Sequence, residues 1–133
     1  RNNFIKHMTK TILLIEDEEV LQKAISEKLK AAGMKTVIFS NGDEAIEHLS
    51  KNTDLPNLIW LDYYLKGDLN GLGFLTQVKS NINTKSIPVI VVSNSASDSK
   101  VQNMLSLGAN KYMLKAAHRL DEIIDHVKEL TEA

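Results

Sequence analysis

The sequence predicts a single α/β domain in which a parallel sheet is wrapped by helices. Strand-like and helix-like segments alternate five times each from Thr11 to the end of the chain, and this alternation is typical of parallel strands joined by helical crossovers. The segments around Leu13, Ile59 and Val91 are continuously apolar, as expected of strands that are covered on both faces.

The composition fits one soluble globular domain and argues against several other classes of protein. The chain has 133 residues, of which 43% are hydrophobic and 25% are charged, and a chain of this size buries roughly 68% of its unfolded surface. The net charge of −1 lacks the basic excess of a nucleic-acid-binding surface, so no direct nucleic-acid partner is expected. There are no cysteines, which excludes disulfides and thiolate metal sites and fits a reducing cytoplasm. No apolar run approaches the roughly 20 residues that cross a bilayer, so no membrane insertion is expected.

Residues 1–9 are expected to precede the domain, which then occupies residues 10–133. The stretch from Arg1 to Met8 is polar and lacks the apolar centre of a secretory signal. We interpret it as a flexible lead or as a remnant of protein expression, and it takes no part in the predicted fold.

The first half of the chain contains three predicted strands and two predicted helices. In order, they are a strand at 11–15, a helix at about 18–32, a strand at 35–39, a helix at about 43–51 and a strand at 57–61. In the first helix, Leu21, Ile25 and Leu29 recur at the spacing of one helical face. Gly33 follows directly and is placed to end that helix.

The second half continues the same alternation after a polar loop at 63–71. It comprises a helix carrying Leu72, Leu75 and Val78, a strand at 88–92, a helix that ends at Gly108, a strand at 111–114 and a final helix with an apolar stripe over 120–130. Ser97 precedes the fourth helix and is a suitable N-cap residue. The stripe of the last helix is better explained as core than as a partner-binding surface.

Four of the strands end at residues that can bind a metal ion and a phosphoryl group. The first strand ends in Glu16-Asp17, the third in Asp62, the fourth in Ser93 and the fifth in Lys115. Because functional groups gather at the carboxyl ends of the strands in an open parallel sheet, these side chains are expected to meet at one rim. A hard divalent cation such as Mg²⁺ would relieve the repulsion among the carboxylates. Asp62 could serve as a nucleophile or as a metal ligand only.

Each of these residues also has an ordinary structural interpretation. Asp17 could cap the first helix, Glu16 could be solvated, Ser93 could belong to a polar capping loop, and Lys115 could be a surface lysine. No single residue decides between the interpretations. The order of acid pair, acid, hydroxyl and lysine on successive strand ends favours a functional site.

The chain resembles the receiver domain of two-component response regulators. The resemblance covers about Lys10 to Glu132 and implies a flavodoxin-like (βα)5 three-layer sandwich with strand order 2-1-3-4-5. The matching segments are 12–18, Leu61-Asp62, Asn70-Gly71, Val92-Ser93 and 108–115.

The resemblance implies a phosphorylation site and a metal site. Asp62 would accept a phosphoryl group from a histidine kinase or a histidine phosphotransfer protein in a Mg²⁺-dependent reaction. Asp17 and Asp62 would ligate Mg²⁺ by their side chains and Tyr64 by its backbone carbonyl, while Glu16 would hold a metal-bound water. The domain would catalyse only its own phosphorylation and dephosphorylation, as a cytoplasmic phosphoprotein.

The resemblance also implies a switch and an output surface. Ser93 and Lys115 would bind phosphoryl oxygens, and Tyr112 would turn inward as Ser93 moves toward the phosphate. Tyr64 and Ser95 match positions that influence how long the phosphate survives in this family. A downstream protein would bind the face formed by the fourth helix, the fifth strand and the fifth helix, including Lys111, Met113 and the exposed side of the last helix.

Two residues depart from the family pattern. Ala116 follows Lys115, where the family usually has a proline in a cis peptide bond. A cis bond costs roughly 2.5–4 kcal/mol before alanine and about 0.5–1 kcal/mol before proline. The bond is therefore expected to be either trans with Lys115 displaced, or cis and strained. Asn94 stands where a small residue is usual and is expected to add a polar contact or to restrict access to the site.

Three other functions compete with a phosphorylated receiver. A receiver-like protein interaction module that works without phosphorylation is the main alternative. Asp62 and the two acids after the first strand argue against it, whereas Ala116 keeps it open. A phosphatase of the dehalogenase type would need a second carboxylate where Tyr64 stands. A flavin carrier is disfavoured because the acidic residues after the first strand would repel the phosphate of the flavin nucleotide.

Overall fold

The computed structural model describes residues 9–51, 54–65, 67–95 and 97–132. The predicted lead over residues 1–9 therefore lies outside the described residues, except for Thr9. Within the described ranges, no helix is long and apolar enough to cross a membrane.

Strands and helices alternate along the described chain, as the sequence predicts. The strands are β1 Thr11–Ile15, β2 Lys35–Phe39, β3 Leu58–Asp62, β4 Val89–Ser93 and β5 Lys111–Leu114. The helices are α1 Glu19–Ala31, α2 Gly42–Lys51, α3 Gly71–Ser80, α4 Asp98–Ser106 and α5 Leu120–Thr131. Local signals set several of these bounds. Gly33, at φ +84°, follows the end of α1, and the Ser97 side chain accepts a hydrogen bond from the Lys100 N–H at the start of α4.

The five strands form one parallel sheet in the order β2-β1-β3-β4-β5. This confirms the predicted flavodoxin-like topology. The register places Ile15 opposite Leu61 and Asp62 opposite Val92. Since the strands run in the same direction, the residues that follow β1, β3 and β4 leave the sheet at one edge.

The sheet separates two apolar clusters, which explains why the central strands lack an alternating pattern. Leu13 and Ile15 face one side of the sheet, whereas Ile12 and Leu14 face the other. The first cluster is completed by Ala45 and Leu49 of α2, Phe74, Leu75 and Val78 of α3, and Met104 of α4. The second is completed by Ile25 and Leu29 of α1 and by Ile123, Ile124 and Val127 of α5. The apolar stripe of the last helix is thus core, as predicted.

Gly71 lies in close contact with the loop that carries the end of β3. A Cβ atom at Gly71 would be 2.5 Å from the Tyr63 carbonyl oxygen and 3.2 Å from the Tyr63 Cα. These are backbone atoms, so they cannot rotate away from an added methyl group. A glycine at this position therefore lets α3 begin directly against the residues that follow Asp62.

Replacing Gly71 by alanine is expected to lower the free energy of unfolding by about 1–3 kcal/mol, because the loop must shift to admit the methyl group. Urea denaturation monitored by circular dichroism measures this change. Gly73→Ala is the matched control in the same helix, since its Cβ would meet the mobile end of Leu69, at 2.9 Å from Cδ1. Alanine there also gains about 1 kcal/mol of helix propensity. Equal stabilities for the two variants would contradict the steric argument.

Candidate functional site

The three acids that were predicted to converge do meet at the carboxyl edge of the sheet. Glu16 and Asp17 follow β1, and Asp62 is the last residue of β3. One carboxylate oxygen of each residue lies within 4.8 Å of the other two. Glu16 is 1% exposed and Asp62 is 5% exposed, whereas Asp17 is half-buried. The N-cap residue of α1 is Glu18, so Asp17 does not occupy the cap position.

Glu16 is held by contacts to both its side chain and its backbone. Its Oε2 accepts a hydrogen bond from the Glu18 N–H at 3.1 Å. Its carbonyl oxygen accepts one from the side-chain amide of Gln22, and its N–H donates to the Phe39 carbonyl at 3.0 Å. The buried carboxylate is therefore part of a fixed local structure, and the interpretation of Glu16 as a solvated side chain is wrong.

Lys115 reaches the acidic cluster from the end of β5. Its Nζ lies 3.2 Å from Glu16 Oε1 and 3.7 Å from Asp62 Oδ2. The Lys115–Ala116 peptide bond is trans, so the expectation that a trans bond displaces Lys115 from the site is wrong. The physical reason is that the Lys115 N–H donates to the Ser93 carbonyl at 2.8 Å. This bond continues the β4–β5 ladder and fixes the backbone from which the long side chain extends.

Asp62 has an environment that disfavours its charged form. Burial, the largest cause, and the charge of Glu16 raise the pKa of Asp62 from 3.8 to about 6. The ammonium of Lys115 and the N–H of Tyr64, which donates to Asp62 Oδ1 at 3.2 Å, lower the pKa, while Asp17 adds a smaller increase. The remaining excess of negative charge is what a cation would relieve. All the candidate side-chain ligands are carboxylate oxygens, the donor type that Mg²⁺ prefers, so the residues present fit a divalent cation.

The acidic cluster lines an open cleft with a volume of about 760 Å³. Tyr64 and Asn70 contribute to its wall, and so does Asn94, at the end of β4. Ser93 is fully buried beside Asn94 and is not among the described residues that line the cleft. In this conformation the structure therefore brings the acids and Lys115 together but leaves the hydroxyl of Ser93 out of the cleft wall.

Tyr112 contacts the loop that begins at Ser93. Its hydroxyl donates to the Ser95 carbonyl oxygen at 2.7 Å, and the Ser95 N–H in turn donates to Ser93 Oγ at 3.2 Å. Burial raises the pKa of Tyr112. The two residues predicted to switch together are thus linked through Ser95.

Lys100, on the first turn of α4, was not predicted as a site residue. Its ammonium hydrogen-bonds the Tyr64 hydroxyl and Ser95 Oγ, the latter at 3.2 Å. It also lies 4.6 Å from the centroid of the Tyr64 ring and 5.5 Å from that of Tyr63. A lysine on the first turn of a helix carries no sequence signal for these contacts, because Tyr63 and Tyr64 lie 36 or more residues earlier in the chain.

The predicted output face differs from expectation in one residue. Lys111 is half-buried on β5 and pairs with Glu129 of α5 at 3.8 Å, and Leu105 of α4 is exposed. Met113 was expected on this face, but it is only 4% exposed. It packs in the core with Ile123 and other residues of the second cluster, because β5 directs alternate side chains beneath α5.

The family model for the response regulator receiver domain matches residues 12–128. The transcriptional regulatory protein CrdR of Helicobacter pylori is 32% identical over 121 residues, which make up 91% of this chain and 54% of CrdR. The chemotaxis protein CheY1 of the same organism is 30% identical over 105 residues, covering 78% of this chain and 83% of CheY1. The chain thus spans about half the length of CrdR.

Two solved structures of response regulators closely match the fold. One is the phosphorylated cyanobacterial phytochrome response regulator RcpA, which is 29% identical with a TM-score of 0.83, covering 93% of this chain and 94% of RcpA. The other is the Mn²⁺-bound form of the response regulator Rcp1, which is 28% identical with a TM-score of 0.81, covering 93% of this chain and 96% of Rcp1.

Replacing Asp62 by asparagine is expected to stabilise the metal-free protein at neutral pH, by an amount on the order of 1–3 kcal/mol. Folding raises the pKa of Asp62 from 3.8 to about 6, so the folded protein holds this proton more tightly than the unfolded chain. The stability contributed by protonation is fully present below about pH 3.8 and is lost as the pH rises through about 6. The difference in the free energy of unfolding between Asp62→Asn and the wild type should therefore grow as the pH rises from about 3.8 through about 6.

Urea denaturation in EDTA at a series of pH values measures this effect. Addition of Mg²⁺ should shrink the difference, because a cation that binds the wild type stabilises it. Asp125→Asn, an exposed change on α5, is the matched control and is expected to alter stability by less than about 0.5 kcal/mol. A variant at Asp62 that is less stable than the wild type at neutral pH without metal would contradict the prediction.

Proposed function

The chain belongs to the response regulator receiver domain family, and on that premise we propose that it accepts a phosphoryl group on Asp62 and signals this to a partner protein. The observation that carries the proposal is the setting of Asp62. Its carboxylate is buried at a strand end, two further acids lie within 4.8 Å, and the ammonium of Lys115 is 3.7 Å away. The carboxylate proposed as the nucleophile, the proposed metal ligands and the ammonium proposed to bind phosphate share one cleft, and this supports the proposal.

Glu16, Asp17 and Asp62 would hold a Mg²⁺ ion, with the backbone carbonyl of Tyr64 as a further ligand and Glu16 acting through a water. When bound, the ion supplies positive charge that offsets the carboxylates and the negative charge on the transferring group. The fit is supported by the oxygen-only donor set and the crowding of the acids. The likeness to the Mn²⁺-bound form of Rcp1 is consistent with it.

In the proposed reaction, an oxygen of Asp62 forms a bond to phosphorus while the bond from phosphorus to the donor histidine nitrogen breaks. The electron pair of the broken bond stays with the donor imidazole. Lys115 would turn from its acidic partners toward a phosphoryl oxygen, for which an ammonium is a strong donor. Ser93 is fully buried and would bind a second phosphoryl oxygen after its loop moves, and Tyr112 would follow through its contact with Ser95.

A histidine kinase or a histidine phosphotransfer protein is the proposed donor. The downstream partner would bind the face formed by α4, β5 and α5, where Leu105 and Lys111 are accessible. The domain would catalyse only its own phosphorylation and dephosphorylation. We place it in the cytoplasm, because a chain without cysteines has no disulfide that a reducing compartment would break.

A receiver-like module that acts without phosphorylation was the main alternative, and its argument was Ala116. The short distance between the Lys115 ammonium and Asp62, 3.7 Å with Ala116 next to Lys115, supports the phosphorylated receiver over this alternative. We therefore propose a single function.

Incubation with acetyl phosphate and Mg²⁺ is expected to add the mass of one phosphoryl group to the wild type. Asp62→Asn and the wild type in EDTA should show no gain, because the first lacks the nucleophile and the second lacks the cation. Intact-protein mass spectrometry measures the gain, with Asp125→Asn as a control that should behave like the wild type. The fluorescence of Trp60, buried two residues before Asp62, reports Mg²⁺ binding in the same samples. Uptake of a phosphoryl group by Asp62→Asn would refute the proposal. So would a wild type that takes up no phosphoryl group either from acetyl phosphate or from a phosphorylated histidine phosphotransfer protein.

Lys115→Met is expected to slow phosphorylation by roughly 10²–10³-fold, the usual effect of removing a donor that stabilises transition-state charge. Mg²⁺ binding should persist, since removing a positive charge does not weaken a cation site. Initial rates of mass gain and titration of Trp60 fluorescence separate the two effects. Lys111→Met, at the start of β5, is the control and should retain the wild-type rate. A Lys115→Met rate close to that of the wild type would exclude a role for Lys115 in transfer.

A further inference from the structure

The side chain of Tyr64 bridges two loops at the mouth of the acidic cleft. Its backbone is anchored next to the acceptor, because its N–H donates to Asp62 Oδ1 at 3.2 Å. Its phenol extends to the loop after β4, where the hydroxyl lies 3.0 Å from Ser95 Oγ. Tyr64 is also one of the residues that line the cleft. The side chain of Tyr64 therefore spans from the end of β3 to the loop that follows β4.

Packing alone holds this ring weakly, since Tyr64 is 47% exposed. A side chain with that exposure is free to turn into solvent unless specific contacts offset the rotational entropy that ordering removes. The edge of the Tyr63 ring provides one contact, with ring centroids 4.9 Å apart. The position of Tyr64 therefore depends on its polar partners.

Lys100 supplies two of these contacts and also binds Ser95, the other polar partner of Tyr64. Its ammonium hydrogen-bonds the Tyr64 hydroxyl, donates to Ser95 Oγ at 3.2 Å and lies 4.6 Å from the centroid of the Tyr64 ring. Its backbone is fixed in the first turn of α4, where the Lys100 N–H donates to the Ser97 side chain at 3.4 Å. The hydrogen bond between the two side chains lowers the pKa of Tyr64 and raises that of Lys100.

We propose that Lys100 is a positioning residue that holds the Tyr64 side chain across the mouth of the cleft and so slows hydrolysis of the phosphorylated Asp62. The inference rests on the proposed function, because it concerns the lifetime of that phosphoryl group. In hydrolysis, a water oxygen bonds to phosphorus and a proton of the water goes to solvent. The bond from phosphorus to the Asp62 oxygen breaks, and its electron pair returns to the carboxylate. Lys100 acts on the access of that water and touches no reacting atom.

Ser95 is a partner both of the Lys100–Tyr64 pair and of the residues of the proposed switch. Ser95 contacts Lys100 and Tyr64 through its hydroxyl, Tyr112 through its carbonyl and Ser93 through its N–H. A movement of Ser93 toward a phosphoryl group would therefore carry Ser95 with it. The position of the Tyr64 side chain and the proposed switch of Ser93 and Tyr112 therefore both depend on the loop that contains Ser95.

The test compares the lifetime of the phosphoryl group in single and double variants. Each protein is loaded with acetyl phosphate and Mg²⁺, the donor is removed by rapid desalting, and the loss of mass is followed over time. Lys100→Met is expected to lose phosphate about fivefold faster than the wild type, the change that follows from losing one ordinary hydrogen bond. Lys100→Arg keeps the charge and the donors and should restore a lifetime close to that of the wild type.

A double variant separates positioning from a general effect on the fold. Tyr64→Phe removes the hydroxyl that Lys100 holds, so adding Lys100→Met to it should change the rate by less than about twofold. Lys30→Met, an exposed lysine at the far end of α1, is the matched control and should leave the lifetime unchanged. Thermal melting verifies that each variant is folded, and Lys100→Gln replaces Lys100→Met if the latter melts early.

The outcomes distinguish this inference from the proposed function. Equal lifetimes for the wild type and Lys100→Met, or additive effects in the double variant, would overturn the role of Lys100 while leaving Asp62 as the acceptor. If the wild type takes up no phosphoryl group from acetyl phosphate or from a phosphorylated histidine phosphotransfer protein, the proposed function is wrong and this inference falls with it.

Discussion

Two carboxylates are buried at the edge of an apolar sheet, and the surrounding contacts are organised by the need to compensate their charge. Glu16 and Asp62 extend strands that are otherwise apolar, so each places an acid where several kcal/mol of hydration free energy is lost. The ammonium of Lys115 lies within 4.0 Å of both. The backbone N–H groups of Glu18 and Tyr64 donate to the carboxylates. The open cleft keeps the remaining oxygens within reach of solvent or of a cation.

The compensation is incomplete, and this connects the stability of the domain to its chemistry. Among the described residues that line the cleft, Glu16, Asp17, Glu18 and Asp62 are acidic and Lys115 is basic. The protein alone therefore leaves an excess of negative charge, visible in the raised pKa of Asp62. Repulsion among carboxylates of this kind persists at functional sites because a bound ligand relieves it. A bound cation, and then a phosphoryl group facing Lys115, would each change the charge balance that the loops are built around.

The loops at this edge share hydrogen-bond partners, which connect a residue lining the cleft with α4 and β5. Ser95 is the common partner of Tyr64, Lys100 and Tyr112, which belong to three different segments of the chain. Because Ser95 also donates a hydrogen bond to Ser93 through its own N–H, the proposed displacement of Ser93 would reach all three partners. It would change these few hydrogen bonds and leave the two packed clusters on either side of the sheet in place.

The sequence by itself determined the order of strands and helices, most of their bounds and the convergence of the acids on one rim. These follow from local signals, namely continuous apolar runs, helical spacing and a glycine or serine at helix ends, and from the rule that parallel strands finish at a common edge. Tertiary structure alone decided that the Lys115 side chain lies beside Asp62 although the Lys115–Ala116 bond is trans. It also decided that Ser93 is buried outside the cleft wall and that Lys100 contacts Tyr64. Such outcomes depend on the direction of a side chain relative to elements distant in the chain. No local pattern encodes that direction, because packing and the available hydrogen-bond partners select it only after the sheet has formed.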